Sequence, residues 1–358
     1  MRIVSVVGAR PQFVKLAPIA AEAAHRHVEH VIVHTGQHYD PGLSDAFFAD
    51  LQIPTPDVHL GVGSGGHGAQ TGAMMTALDP VLEEYSPDWV LVYGDTNSTL
   101  AAALCAVKLH LPLAHLEAGL RSFNRRMPEE HNRVLTDHAA DLLLAPTEVA
   151  RAHLAAEGLA GRTVVTGDVM TDVCYRVRDA VMAEPPGIDL PDGEFVLSTL
   201  HRAENTDDPQ RLAELVGRLA GLDVPVVLTA HPRLVTRAAE AGISLEQGNL
   251  LPVPPLPYPS LVWAVLRSSG IVTDSGGLQK EAYLLQRACT TLRTETEWVE
   301  TLDGGWNVLD PDAQDLAALA TRHVDSPQGT PYGDGHAASA VLDALEDRRG
   351  EDQAPGAR

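Results

Sequence analysis

The sequence predicts an α/β protein of two doubly wound, Rossmann-like domains that face a cleft. Three observations carry this expectation. Short apolar, β-branched runs alternate with longer amphipathic segments, which implies a parallel sheet covered by helices on both faces. The alternation starts afresh after the strongest Pro/Gly interruption, "AEPPGIDLPDG" at 183–193. A chain of 358 residues, 44% hydrophobic and 21% charged, is long and apolar enough for two cores.

In the first half, "IVSVV" (3–7), "HVIVHT" (30–35), "WVLVYG" (89–94), "LPLAHLE" (111–117), "LLLAP" (142–146) and "TVVTG" (163–167) read as strands bounded by Gly, Pro or Asp. Helices are expected between them over 11–26, 67–84, 97–109 and 129–140. The second set of strands is "EFVLSTLH" (194–201), "VPVVLTAH" (224–231), "NLLPV" (249–253), "GIVTDS" (270–275) and "CTTLR" (289–293). Its helices are expected near 209–220, 233–241, 257–267 and 276–286. A last amphipathic helix, "HAASAVLDALEDRR" (336–349), precedes a tail expected to be disordered. No repeat appears at the periods of solenoids.

Charge and cysteine usage narrow the function. A net charge of −22 argues against a nucleic-acid or anionic-membrane surface, either of which calls for clustered basic residues. Nearly all the positive charge is arginine; Lys15, Lys108 and Lys280 are the only lysines. Cys105, Cys174 and Cys289 lie far apart with no CxxC pair, so a reducing cytoplasm fits better than a disulfide framework or zinc ribbon. The start "MRIVSVVGARP" reads as a first strand rather than a signal segment, and no run approaches the roughly 20 apolar residues of a membrane span. The 16 histidines form no HExxH or His/Cys cluster, and no metal is expected.

Ligands of open parallel sheets bind beyond the carboxyl ends of the strands. Polar residues directly follow strands at Gly8-Ala9-Arg10, Gly36-Gln37-His38, Gly94-Asp95-Thr96 and Glu117-Ala118-Gly119, then at His201-Arg202, His231-Pro232 and Asp274-Ser275-Gly276-Gly277. Singly, such a residue is a helix cap; seven of them make a site. "VTDSGGLQKEA" (272–282) runs from strand to helix through Ser-Gly-Gly, so free N–H groups and the helix dipole meet at an anion site. Glu281, one turn in, is placed to accept from two ribose hydroxyls, and "PVPPLPYPSL" (252–261) could wall a base pocket. By contrast, "GVGSGG" (61–66) matches GxGxxG but follows a poor strand and lacks the distant acid, so it reads as a loop.

Arg10 and Lys15 bracket the first strand–helix turn and suit a diphosphate. The segment "HLEAGLRSFNRRMPEEHNR" (115–133) is a denser puzzle: three glutamates and four arginines broken by glycine and proline, unlike a solvated helix face. With Asp95, Glu117 and Glu129 in one pocket and His201 entering from the other domain, mutual repulsion between carboxylates would provide an acid and a base. The arginines would hold the glutamates and the substrate's charge.

At these residues the sequence resembles the UDP-N-acetylglucosamine 2-epimerase family. The resemblance runs from Arg2 to about residue 345, through "VGARPQFVKLAP", "TGQHYD", "VYGDTNSTLA", "HLEAGLRSFNRRMPEEHNR", "LHRAEN", "TDSGGLQKEA", "RTETEWVE" and "PYGDG" in order. It implies a glycosyltransferase-B architecture, with an N-terminal domain at 1–172, a UDP-binding domain at 173–335, a helix at 336–350 packing back toward the first domain, and a disordered tail at 351–358. It implies a non-hydrolysing epimerase that interconverts UDP-GlcNAc and UDP-ManNAc without a cofactor. The sugar C2 proton is removed, UDP leaves C1, and UDP adds back to the glycal after protonation on the other face.

By resemblance, Asp95, Glu117, Glu129 and His201 are the catalytic set, and which acid serves each face stays open. Arg10, Lys15, His231, Ser275, Gly276, Gly277 and Glu281 match the family's UDP contacts, with Arg293 a further candidate. A cytoplasmic homodimer acting on a UDP-sugar is expected. The segment "GQHYDPGLSDAFF" (36–48) departs from the family's Gln-His-x-x-Met-Leu, which places activation by a second UDP-sugar in doubt. "YLLQRACTTLR" (283–293) lacks the usual Gly-x-Pro, and His131 replaces an apolar residue, most simply as a partly exposed helix position. A hydrolysing epimerase releasing ManNAc, an epimerase for a related UDP-hexose, and a glycosyltransferase of the same fold are the alternatives.

Overall fold

The computed structural model describes residues 1–37 and 53–352, except the side chains of Arg10 and of 350–352; His38 and the tail beyond 352 lie outside the described residues. The chain divides into two units, 1–173 with 330–358, and 174–329.

The N-terminal unit holds a parallel sheet in the order β3-β2-β1-β4-β5-β6-β7. Its strands are β1 (Arg2–Val7), β2 (Glu29–His34), β3 (Val58–His59), β4 (Trp89–Tyr93), β5 (Leu113–Leu116), β6 (Leu142–Ala145) and β7 (Thr163–Val165). Helices α1 (Arg10–His25), α2 (His67–Tyr85), α3 (Asn97–Lys108), α4 (Pro128–Ala139), α5 (Glu148–Ala156) and α6 (Val169–Ala183) follow the strands. The boundary between units falls inside α6, ahead of the Pro/Gly segment.

The two-residue period of a strand explains why these runs are apolar throughout. Ile3 and Val7 of β1, with Trp89, Leu91 and Tyr93 of β4, pack into one core layer. Val4 and Val6, with Val90 and Val92, pack into the opposite one. Both faces are buried, so polar side chains stand there only with partners of their own, as Ser5 does with His30 and Tyr93 at 2.7 Å.

The C-terminal unit repeats the wiring as β10-β9-β8-β11-β12-β13, again all parallel. Strands β8 (Val196–Thr199), β9 (Val226–Thr229), β10 (Leu250–Val253), β11 (Gly270–Thr273), β12 (Cys289–Thr291) and β13 (Asn307–Leu309) alternate with helices α7 (Ala203–Thr206), α8 (Pro209–Ala220), α9 (Pro232–Glu240), α10 (Tyr258–Arg267), α11 (Gly276–Leu284) and α12 (Leu316–Leu319). Pro128, Pro209 and Pro232 open their helices, where a missing N–H costs nothing.

Helix α13 (Ala337–Asp352) lies in the N-terminal unit. Arg26, which caps the C-terminal end of α1, bonds Asp343 and Ser339, and Trp89 Nε1 donates to the Leu345 carbonyl at 3.0 Å. Residues 330–335 group with this unit too, where the Tyr332 carbonyl accepts from the Asp168 N–H at 2.9 Å. The sequence pattern did not single out the short edge strands β3 and β13, nor α5 and α6.

One glycine fixes a corner of the future site. Gly119, past β5, has φ +83°, and a Cβ there would run into the Ala150 carbonyl of α5 and come within 2.8 Å of Leu154 Cγ. Gly119→Ala should therefore cost about 3 kcal/mol from left-handed strain and overpacking together. The check is the urea midpoint, which should fall with an unchanged slope; a midpoint equal to wild type would contradict the packing described.

Candidate active site

Doubly wound sheets bind ligands where the strand order reverses. In the N-terminal unit that point lies between β1 and β4. The turn after β1 is already occupied: the Gly8 and Ala9 N–H groups both donate to Gln12 Oε1, at 2.8 and 3.0 Å. The Arg10 side chain is outside the described residues.

The turn after β4 carries Asp95 and that after β5 carries Glu117. Glu117 has φ +70°, a left-handed conformation costing about 1–2 kcal/mol for a residue with a side chain. It is held there because the N–H groups of Glu117 and Ala118 both donate to the Leu144 carbonyl, at 3.1 and 3.2 Å. Its carboxylate is ion-paired with Lys15 Nζ, which enters from α1. Gly94 permits this approach: with φ +61°, a Cβ would stand 3.1 Å from both Glu117 Oε2 and Lys15 Nζ. Burial alone would lower the Lys15 pKa, but Glu117, Asp95 and Asp168 outweigh it and raise it.

Helix α4 supports the acids from the side. Arg133 donates to Asp95 Oδ2 from Nε at 2.9 Å and from Nη2 at 2.6 Å, and Asn132 Nδ2 donates to the Asp95 carbonyl at 2.9 Å. The paired glutamates divide their labour. Glu130 is buried and accepts from the Ser122 N–H, the Ser122 hydroxyl and the Phe123 N–H, each at 2.9 Å, and from Arg133 at 3.0 Å. These donors hold it below the usual carboxylate range despite burial. Glu129 is partly exposed at the first turn, and its carboxylate has no hydrogen bond or ion pair among the described residues. His131 is exposed, its Nε2 donating to the Arg125 carbonyl at 2.9 Å.

Two expectations are thereby revised. Asp95 and Glu117 do not face each other as repelling carboxylates, since each has a cation of its own. The arginines of the segment hold Asp95, Glu130, Asp137 and Glu157, whereas Glu117 is held by lysine. Beneath the site, His115 bridges Asp137 Oδ1 and the Gly94 carbonyl, both at 2.7 Å, while Arg121 joins Asp137 Oδ2 to Glu157.

In the C-terminal unit the order reverses between β8 and β11, and the residues beyond them are His201 and Asp274. Asp274 is fully buried and accepts from the N–H groups of His201 and Arg202 at 3.1 and 3.0 Å and from Asn205 Nδ2 at 3.2 Å. The His201 ring follows, with Nδ1 3.1 Å from Asp274 Oδ1. These donors overcome burial and hold Asp274 below its ordinary value. With Nδ1 donating to Asp274, Nε2 of His201 is the nitrogen left for chemistry. His231 lies near, with ring centroids 6.0 Å apart. Its Nδ1 accepts from the Arg233 N–H at 3.2 Å, so its hydrogen sits on Nε2.

Ser275 caps α11 through the Leu278 N–H at 3.3 Å, and the N–H groups of Gly276 and Gly277 precede the first intrahelical donor, the Gln279 N–H, which bonds the Ser275 carbonyl. A Cβ on Gly276 would run into the Glu297 carboxylate, which also takes Arg293 Nη1 at 2.8 Å and lies 3.9 Å from Arg202 Nη2. A protein carboxylate thus stands at the expected anion site, and Arg293 is tied to it. Burial pushes Glu281 above the usual carboxylate range, with Tyr258 and Lys280 pulling the other way. Among the described residues, no group of three or more His, Cys, Asp or Glu is placed to hold a metal, and no helix is long and apolar enough to cross a membrane.

Sequence reasoning set Asp274 among the polar positions beyond strand ends and Arg133 among the arginines of its segment, without naming the partner of either; His115, Asn132 and Glu297 stood in quoted motifs with no role, and Asp137 was passed over. Arg133 and Asp137 lie four and eight residues after Glu129, one stripe of a helix, which was the available signal.

Residues 20–346 match the UDP-N-acetylglucosamine 2-epimerase family. The chain is 44% identical over 356 residues to a UDP-2,3-diacetamido-2,3-dideoxy-D-glucuronate 2-epimerase of Pseudomonas aeruginosa, covering 96% of this chain and 99% of the relative. It is 36% identical over 362 residues to a UDP-N-acetylglucosamine 2-epimerase of Methanocaldococcus jannaschii, covering 96% and 99%. The crystal structure of a Methanocaldococcus jannaschii UDP-GlcNAc 2-epimerase in complex with UDP-GlcNAc and UDP superposes with a TM-score of 0.81 at 35% identity, covering 97% of this chain and all of that one.

The Asp274–His201 pair makes two measurable demands. Nitrogen NMR should find the proton of neutral His201 on Nδ1, and Asp274→Asn should move it to Nε2, because an amide can donate to Nδ1. Asp274 is depressed below 3.8, so the stability it adds is complete above pH 3.8 and is lost as pH falls through its lowered value. The variant should lose that acid-side slope. An unchanged tautomer would refute the pairing.

Proposed function

This chain belongs to the UDP-N-acetylglucosamine 2-epimerase family and is an isomerase, and we propose that it inverts C2 of a UDP-linked 2-acetamido sugar by reversible elimination of UDP. The observation that carries this reading is the cluster of Asp95, Lys15 and Glu117 at the strand-order reversal of the N-terminal unit. A carboxylate takes the C2 proton, the C–H electron pair becomes the C1=C2 bond, and the C1–O bond breaks with its pair leaving on UDP. The return runs in reverse with C2 protonated on the other face. Two faces need two proton-transfer groups, and Asp95, Glu117 and Glu129 supply them. Arg133 and Lys15 hold the Asp95 and Glu117 carboxylates in place; the group that takes the C2 proton acts ionised, and the one that protonates C2 from the other face acts as the acid and gives up its own proton.

The C-terminal unit holds the nucleotide in this reading. The N–H groups of Gly276 and Gly277 with Ser275 meet a phosphate, and Glu281 meets the ribose hydroxyls. His201 Nε2 and His231 Nε2 face the diphosphate, and His201 protonates or hydrogen-bonds the leaving oxygen, as Asp274 fixes its ring. Arg10 and Arg293 add positive charge for the same group. No cofactor enters the scheme, and the enzyme acts as a cytoplasmic homodimer.

UDP-GlcNAc, giving UDP-ManNAc, is the first substrate of this reading. A second is raised by one observation: a relative named for a diacetamido-dideoxyglucuronate is 44% identical over 99% of its length, level with a UDP-N-acetylglucosamine 2-epimerase homolog of Methanococcus maripaludis at 44% over 88% of its length and above the 36% of one named outright for UDP-GlcNAc. Incubation of each UDP-sugar in D₂O, followed by proton and phosphorus NMR, tests both. Deuterium should enter C2 of an intact epimer pair of at least one of them, and the faster one is the substrate. Release of UDP with the free epimerised sugar would replace the proposal by a hydrolysing reaction, and no exchange with either would remove it.

A further inference from the structure

His115 and Asp137 take no part in the reaction just described, yet both side chains are 0% exposed and they face each other across 2.7 Å. We propose that this pair positions Asp95 and Glu117 for proton transfer, an inference that rests on the epimerase reading. Donor chemistry fixes the state of the ring. Nε2 lies 2.7 Å from the Gly94 carbonyl, which can only accept, so Nε2 carries a hydrogen. Nδ1 faces Asp137 Oδ1, and the other oxygen of that carboxylate takes Arg121 Nη1 at 2.7 Å and the Gly119 N–H at 3.1 Å. Those donors hold Asp137 in its anionic form, so Nδ1 donates as well. Both nitrogens are committed, and the ring has no free edge for substrate.

What the ring touches decides what it does. The Gly94 carbonyl belongs to the peptide whose nitrogen is that of Asp95, so the bond sets the plane from which the Asp95 side chain departs. His115 itself is in β5, two residues before Glu117 and its left-handed φ of +70°. The Gly119 N–H, bound to Asp137, fixes the far side of the same turn. Asp137 and Arg133 lie on α4 one turn apart, and Arg133 grips the Asp95 carboxylate. Backbone and side chain of Asp95, and both ends of the Glu117 turn, are thereby referred to one helix through a buried ion pair. Such a pair stiffens its surroundings because a displaced partner leaves an unanswered charge in a dry interior.

Two isosteric amides separate positioning from mere support of the fold. In His115→Asn the amide nitrogen falls near the place of Nδ1, so the bond to Asp137 survives and Gly94 is released. In His115→Gln the amide reaches the place of Nε2, so Gly94 is kept. With the wild-type substrate found by deuterium exchange, His115→Asn should lose about 10²-fold in kcat, the scale of a displaced catalytic group, while its calorimetric Kd for UDP is unchanged. His115→Gln should recover most of that kcat. His115→Asn turning over like wild type would overturn the proposal. So would kcat losses in the two variants that simply follow their losses in Tm. If the wild-type enzyme exchanges neither UDP-sugar, the epimerase reading itself falls and takes this one with it; exchange by wild type with an unimpaired His115→Asn removes the positioning role alone.

Discussion

A charge withdrawn from water is costly unless each of its protons or lone pairs is answered, and the N-terminal unit is arranged around one place where it is. The Asp137 carboxylate, at 0% exposure, accepts from a histidine, an arginine and a backbone N–H. Arg121 in turn presents its Nε and Nη2 to Glu157 at 2.7 and 2.8 Å. This network admits one register of α4 against β4 and β5. A shift of one residue would turn Arg133 away from Asp95 and Asp137 away from His115 by about 100° of helix rotation. The helix therefore acts as a ruler: Glu129, Arg133 and Asp137, spaced by four, mark a line from the open first turn to the strand ends.

The strands were legible in the sequence because both faces of each sheet are buried. Ile3, Val4, Val6 and Val7 are all apolar though they point alternately into two cores. The edge strands β3 and β13 were not: Val58–His59 and Asn307–Leu309 each hold a polar residue in two or three positions and lack the β-branched run that marked the equally short β7 and β12. Site residues beyond strand ends were legible for a topological reason, as turns there converge on the reversal point. Their partners were not. Asp95 binds Arg133 across 38 residues and Glu117 binds Lys15 across 102. Nothing local to any of these residues announces its mate, so repulsion between acids was the natural expectation, and the lysine that removes it arrives from α1.

The acidic balance of the chain gives such cations added weight. With a net charge of −22, carboxylates greatly outnumber the groups that can pair with them. Glu297 shows one result: it lies at the first turn of α11 beside Gly276, held by Arg293 and approached by Arg202. A helix N-terminus attracts negative charge whether it comes from a ligand or from the protein. An incoming phosphate would therefore exchange one anion for another there, and both arginines could transfer to it, so the site is charged in advance without being left as an unanswered positive cluster.

The two units carry the same device and put it to different use. Each has the strand order of a doubly wound sheet, and each sets a fully buried aspartate against a histidine, Asp137 with His115 and Asp274 with His201. In both, the carboxylate also binds backbone N–H groups at the turn it organises. The difference lies in the second ring nitrogen. That of His115 is spent on the Gly94 carbonyl, inside a side chain at 0% exposure, so the ring can only transmit position. The His201 side chain is 38% exposed, and the bond to Asp274 occupies Nδ1 alone. One nitrogen left open, on a ring whose rotation is fixed from behind, is the requirement for directed proton transfer. Under the proposed reaction the same pair of residue types supplies a strut in one unit and a reactive group in the other, decided by what stands opposite Nε2.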